Sequence, residues 1–152
     1  MANPDSVSQL YLDSFGNVKI ASAKTVSLAT AGNAIANLSI CTGGLTNGGA
    51  VSNSGAVIIR KVVATTLNGS VSSAYVTITT SNDGNASNAV VANVALSGIT
   101  AAGKFQDLPI ASAYTTTVLS GSVSSCLFVN VTTPSGNTNT VNFNVYGDVV
   151  SF

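Results

Sequence analysis

The feature that most constrains the fold of this chain is an alternation of apolar and polar residues with a period of two. It is clearest in residues 126–152, where two such runs flank the segment Thr133-Pro134-Ser135-Gly136-Asn137. A period of two is typical of β-strands that bury one face against a core and expose the other. The apolar positions of the two runs are Leu127, Val129, Val131, Val141, Phe143 and Val145.

The segment between these runs has the composition of a turn. Pro134 has no backbone N–H to donate to a neighbouring strand, and Gly136 can adopt positive φ without steric cost. We therefore interpret residues 126–152 as a β-hairpin. The polar face of its second strand, Asn142 to Tyr146, is interpreted as an uncharged packing or edge surface, and Gly147-Asp148 is expected to end or bulge that strand.

The same alternation recurs upstream between closely spaced turn signals, which predicts eight to ten strands in all. Within residues 57–67 the buried parity changes between Ile59 and Val62, which predicts a β-bulge at Arg60-Lys61. This pattern favours an all-β fold, an antiparallel two-sheet β-sandwich of jelly-roll-like type formed by residues 18–152. Residues 1–17 have no sustained period and are expected to form an extended N-terminal arm. The other candidate strands are at 18–29, 34–40, 74–80, 92–96, where Ala92, Val94 and Leu96 are expected to face inward, and 115–119.

The composition excludes several classes of partner. Only 7% of the residues are charged, with five basic and five acidic side chains, so the net charge is zero. A chain without net charge has no overall field to attract nucleic acid or an anionic membrane. No purely apolar stretch is longer than that at residues 56–59, which is far shorter than a membrane span. Met1-Ala2-Asn3-Pro4-Asp5 lacks the basic start of a secretory signal. We expect the chain to remain in the cytoplasm of the cell that makes it until lysis.

The sequence also lacks the side chains of common enzyme sites. It contains no histidine and no glutamate, and no Ser-x-x-Lys motif is present, so the usual partners of a catalytic serine are missing. The turn Ser81-Asn82-Asp83-Gly84-Asn85 is rich in oxygen, but it offers Asp83 as its single carboxylate for a calcium ion. We expect no enzymatic activity, no cofactor and no metal site. The five aspartates are spread along the sequence as Asp5, Asp13, Asp83, Asp107 and Asp148.

Two further segments bear on the prediction. Cys41 and Cys126 are expected to be free thiols, because a chain without a signal peptide folds in a reducing compartment. Residues 42–55 are rich in glycine but contain neither of the phosphate-binding glycine patterns, so we expect a surface loop there.

The scarcity of charge indicates self-association. Lysine and glutamate normally protect the edges of β-sheets, and a chain with few of them is expected to cover its edges with neighbouring copies. A monomer whose own loops shield the edges is the alternative. In the arm, Leu10, Tyr11 and Leu12, with Phe15, either lie on the surface of their own domain or anchor the arm on a neighbouring subunit.

Six segments cover most of residues 57–150: VIIRKVV at 57–63, AYVTITT at 74–80, residues 89–96, KFQDL at 104–108, LFVNV at 127–131 and VYGDVV at 145–150. Together they resemble the capsid decoration, or cement, proteins of tailed phages. That resemblance implies a compact β-structured homotrimer on the outside of the phage head that bridges subunits of the major capsid protein, and Leu10, Tyr11 and Leu12 are then candidate partner contacts. Two alternatives remain at this level: a carbohydrate- or receptor-binding β-sandwich such as a fibre head, which would use tyrosines for stacking, and a tail or baseplate subunit.

Overall fold

A computed structural model of the chain describes residues 18–39, 55–115, 119–120 and 126–151. These residues form nine β-strands, a 3-10 turn at Ala86–Asn88 and a short helix, α1, at Ser112–Thr115. The strands are β1 (Val18–Ser27), β2 (Gly32–Ser39), β3 (Gly55–Thr65), β4 (Tyr75–Thr79), β5 (Ala89–Ala95), β6 (Phe105–Leu108), β7 (Leu119–Ser120), β8 (Cys126–Thr133) and β9 (Thr140–Ser151).

The strands form two antiparallel sheets. The front sheet has the order β1-β9-β3-β6, with the two-residue β7 also paired with β3, and the back sheet has the order β2-β8-β4-β5. Apart from β7, the strands pair as a nested ribbon in which β1 joins β9, β2 joins β8, β3 joins β6 and β4 joins β5. A nested ribbon rolled into two sheets is the jelly-roll arrangement. The prediction of an all-β, antiparallel two-sheet sandwich is confirmed.

The connection between β8 and β9 differs from the predicted hairpin. β8 pairs with β2 and β4 in the back sheet, whereas β9 pairs with β1 and β3 in the front sheet, so the segment between them crosses from one sheet to the other. The hairpin prediction is therefore wrong, although Gly136 does adopt a φ of +73°. The crossing is held by Ser135, which is buried and whose N–H donates to the carbonyl of Leu28 over 2.8 Å.

The core lies between the two sheets and is built from the inward positions of the alternating runs. Phe143 is the largest side chain that is fully buried, and the six apolar positions predicted in the last two strands are all buried. Burial of these aliphatic and aromatic side chains is the main favourable term for a sandwich of this kind. Other core members are Ile20, Leu28, Leu38, Ile59, Val62, Val76, Ile78 and Leu96.

Two bulges meet at the same level of the front sheet. The register of β3 against β9 shifts between Ile59 and Lys61, which confirms the predicted bulge at Arg60. The register of β1 against β9 shifts between Lys19 and Ala21 at a similar level. β9 itself continues through Gly147 to Ser151, so the irregularity expected in β9 lies in both of its neighbours instead.

Several predictions fall on residues outside the described ranges and stay predictions. They include the extended N-terminal arm with Leu10, Tyr11 and Leu12, most of the glycine-rich loop, and Cys41. Cys126 is half-buried at the start of β8. In the ranges that are described, no helix has the length and apolarity needed to cross a membrane.

Candidate partner-binding surface

The described carboxylates do not gather into a metal-binding cluster. The described ranges contain no group of three or more His, Cys, Asp or Glu side chains that could hold a metal ion. Asp83 is used inside its own turn, where its carboxylate accepts hydrogen bonds from the hydroxyl of Ser81 and, over 3.0 Å, from the N–H of Asn85. These hydrogen bonds, that of Ser81 first, hold the pKa of Asp83 below its ordinary value.

All five basic residues of the chain lie in or beside the front sheet. Lys19 and Lys24 are in β1, Arg60 and Lys61 are in β3, and Lys104 directly precedes β6. The strands of the back sheet contain no charged residue. The zero net charge of the sequence therefore conceals a strong segregation of charge between the two sheets.

Three of these cations are engaged within the domain. Arg60 Nε donates to Asp148 Oδ2 over 2.8 Å, and Lys61 Nζ lies 3.9 Å from Asp107 Oδ1. Lys19 has an interaction of its own. Lys24 and Lys104 are exposed, and neither makes an ion pair within the described part of the chain.

Lys24 and Lys104 lie at opposite ends of one row of residues that crosses the front sheet. Lys24 and Thr25 form a bulge in β1, opposite Asn142 of β9. Asn142 is the register partner of Thr65 in β3, and Thr65 is the partner of Phe105 in β6. The row spans four strands, or about 14 Å at the usual strand spacing. We call it the lysine-flanked row, defined as Lys24, Thr25, Asn142, Thr65, Phe105 and Lys104.

The β1 end of this row has a strained backbone. Thr25 has a φ of +53°, which is a genuine outlier for a β-branched residue. The side chain of Asn142 stabilises this conformation, because its Oδ1 accepts a hydrogen bond from the N–H of Thr25 over 2.7 Å. Strained residues that are fixed by a specific partner are concentrated at functional sites.

The β6 end of the row exposes apolar surface. Phe105 is 66% exposed, and Leu67, two residues after Thr65, is 77% exposed. The backbone beside them is fixed, since the carbonyl of Lys104 accepts hydrogen bonds from the N–H of Thr66 and the hydroxyl of Thr65, each over 3.2 Å. Two large apolar side chains are thus presented to solvent on ordered backbone next to a lysine.

The centre of the outer face of the back sheet is closed by hydrogen bonds within the chain. Asn130 of β8 is outward by parity yet buried, and it joins three strands. Its Oδ1 accepts from the N–H of Ala34 in β2 over 2.8 Å, and its Nδ2 donates to Thr79 Oγ1 in β4 over 3.0 Å. The β4–β5 turn also contacts β2, because Asn33 Nδ2 donates to the carbonyl of Asp83. These contacts close the centre of that face.

The edges of the sandwich are better protected than the composition suggested. The edge strand β1 carries two lysines and two bulges, and both features discourage pairing with another strand. At the edge strand β5, the carbonyl of Ala95 accepts from Gln106 Nε2 and the carbonyl of Val90 accepts from the N–H of Ala111, each over 2.8 Å. The premise that charged residues do not guard the edges is wrong for the front sheet, because the few charges lie there.

The contact residues expected from sequence are not among those that form the lysine-flanked row. Leu10, Tyr11 and Leu12 lie outside the described residues, so their role stays a prediction. The described tyrosines do not form a common stacking platform: Tyr75 is in the back sheet, Tyr146 is in the front sheet, and Tyr114 packs against the core.

The sequence does indicate two members of the lysine-flanked row that were not predicted as site residues, Phe105 and Lys24. Phe105 shares its parity with Asp107 and not with the buried Leu108, which marks an outward-facing aromatic residue. The interruption of the alternation near Lys24 likewise marks the β1 bulge.

Comparisons with protein-family models, with curated proteins and with solved structures find no match to this chain.

Proposed function

We propose that this protein is a non-enzymatic structural protein of a phage virion, which decorates the outside of the capsid and stabilises it by bridging subunits of the major capsid protein. The observation that carries the proposal is the lysine-flanked row. It combines the exposed Phe105, with the exposed Leu67 beside it, and two lysines that make no ion pair with any described residue. Protein-binding surfaces have this composition of apolar anchors with a polar rim.

The fold is compatible with this role. Jelly rolls are common among viral capsid domains, although lectins and other proteins use them too. The fold alone therefore does not choose between a virion component and a sugar-binding module. The dispersed positions of Tyr75, Tyr114 and Tyr146 favour the first, because a sugar-binding face normally gathers its aromatic residues.

We propose a homotrimer as the working unit. The exposed surface of the front sheet supports self-association. A lack of charged residues at the sheet edges does not, because the edge strand β1 carries two lysines. A symmetric assembly contacts several capsid subunits at once, so that individually weak contacts add through multivalency. The contacts lower the free energy of the closed shell relative to an expanded or burst one. Leu10, Tyr11 and Leu12 are the candidate contacts of the arm with a neighbouring subunit, which is either a capsid subunit or a second copy.

Co-sedimentation with phage heads that lack this protein tests the proposal. We expect the wild type to bind the heads saturably, and deletion of residues 2–12 to weaken that binding. Asn37→Ser, an exposed change on the back sheet, serves as the control and should bind like the wild type. Unchanged sedimentation of the deletion variant would remove the arm from the mechanism. Absence of wild-type binding, together with a specific hit on a glycan panel, would instead support a receptor-binding module.

A further inference from the structure

One surface and one segment of this chain are complementary in charge. On the surface, Lys24 and Lys104 have no carboxylate partner among the described residues, whereas Arg60 and Lys61 do. Residues 1–17 contain Asp5 and Asp13 and no lysine or arginine. The segment therefore supplies two carboxylates, the same number as the unpaired lysines of the row.

The same surface and segment are also complementary in apolar content. Phe105 and Leu67 are large apolar side chains that their own domain leaves exposed. The segment carries its apolar residues in a cluster, Leu10, Tyr11, Leu12 and Phe15, and this cluster lies between and beside its two aspartates. An aromatic or aliphatic anchor flanked by charge pairs is the usual composition of a specific protein contact.

The segment is long enough to reach the level of the lysine-flanked row from its attachment point. It joins the sandwich at Val18, whose register partner is Gly147, while the row crosses β9 at Asn142. The two levels are about 17 Å apart along the strand at the usual rise per residue. Seventeen extended residues span up to about 60 Å, well beyond that separation.

We propose that residues 1–17 of one copy bind the lysine-flanked row of a second copy. Asp5 and Asp13 pair with Lys24 and Lys104, and the cluster around Leu10, Tyr11 and Leu12 covers Phe105 and Leu67. Each copy then donates one segment and receives one, which is a head-to-tail contact that forms a ring when the rotation between copies closes. The inference rests on the proposed function for its assumption of a closed homo-oligomer, and it assigns the arm to a second copy instead of to a capsid subunit.

Charge reversal tests the pairing. In sedimentation velocity, the face variant K24D/K104D and the arm variant D5K/D13K should each lose the assembly of the wild type, and the variant with all four changes should regain it. Two exposed back-sheet changes, N37D/A92D, are the control and should assemble normally. If the face variant assembles like the wild type, the inference is overturned, and the two lysines serve only to protect the sheet edges.

Isotopic cross-linking then distinguishes a second copy from the same copy. Protein labelled with ¹⁵N and unlabelled protein are mixed, unfolded, refolded together and treated with a carbodiimide, which joins lysine to aspartate without a spacer. The proposal predicts peptides that link Asp5 or Asp13 to Lys24 or Lys104 with mixed isotopes. Links of a single isotope only, or no such links, contradict it. Binding to phage heads is measured separately, so failure of the arm exchange leaves the proposed function standing, and a failure to bind heads leaves the arm exchange standing.

Discussion

Gly147 of β9 lies directly against the backbone of Ile58 in β3. A Cβ atom built on Gly147 would collide with the carbonyl oxygen of Ile58, and that oxygen belongs to the central strand pair of the front sheet, where it cannot move aside as a flexible side chain would. The close approach occurs next to the bulge at Arg60, so glycine is what allows β9 to run past it.

Gly147→Ala is therefore expected to destabilise the protein by about 1–3 kcal/mol, the usual range for forcing extra volume into a packed site. Urea unfolding followed by circular dichroism measures the change. Gly32→Ala is the matched control, because a Cβ there meets nothing within 4 Å. It should leave the free energy of unfolding unchanged or raise it by up to about 1 kcal/mol. Equal effects of the two substitutions would refute the close-approach explanation.

Asn130→Ala tests the polar centre of the back sheet. The substitution removes the acceptor of the part-buried N–H of Ala34 and the amide that donates to the buried hydroxyl of Thr79. Leaving such groups unsatisfied costs about 1–3 kcal/mol. Asn37→Ala, an exposed position in the same sheet, should change the free energy of unfolding by less than about 0.5 kcal/mol. Thermal and urea unfolding of both variants decide whether Asn130 has this role.

Phe105 and Phe143 provide a test of surface against core. Phe143 is fully buried, so Phe143→Ala should cost about 3–5 kcal/mol. Phe105 is largely exposed, so Phe105→Ser should change the free energy of unfolding by less than about 0.5 kcal/mol. It should nevertheless weaken both self-association in sedimentation velocity and binding to phage heads. A Phe105→Ser variant that unfolds early would show that this side chain stabilises the domain and does not belong to a binding surface.

Asp83 is expected to make stability depend on pH in the acid range. Its pKa is lowered in the folded protein by hydrogen bonds from Ser81 and Asn85, so the carboxylate form is favoured on folding. The resulting stabilisation is present above the pKa of the unfolded chain, about 3.9, and is lost as the pH falls through the lower pKa of the folded state. The difference in unfolding free energy between the wild type and Asp83→Asn should shrink as the pH falls from 6 to 2. A difference that stays constant over this range would show that Asp83 does not titrate in the way proposed.

The sequence predicted what depends on local chemistry. The parity change in β3 predicted a bulge at Arg60-Lys61, and the register shifts there. Gly136, which was expected to tolerate positive φ, has a φ of +73°. Ala92 was expected to face inward but is exposed, because the register of β4 against β5 shifts between Val76 and Ile78 and carries Ala92 outward. A bulge can be predicted from sequence only when the apolar residues of its strand switch between odd and even positions. The residues of β5 show no such switch.

The sequence predicted where the strands lie better than it predicted which strands pair with each other. A buried row on β8 and a buried row on β9 are equally compatible with neighbours in one sheet and with partners on opposite sides of a core. The hydrogen bond from Ser135 to Leu28 forms only because β8 and β9 lie in opposite sheets. It joins residues far apart in sequence, so the local pattern does not predict it. The gathering of charge on the front sheet could not be predicted from local sequence either. The registers that align Lys24, Asn142 and Phe105 arise from strands that are distant along the chain.

The most direct test of the proposed function is to locate the protein on an intact virion by electron cryo-microscopy, with an antibody fragment against the back sheet as the marker. The account predicts density on the outer surface of the head, in groups of three copies that sit over junctions between major capsid subunits. Density confined to the tail, the baseplate or the tips of fibres, with a bare head surface, would contradict it.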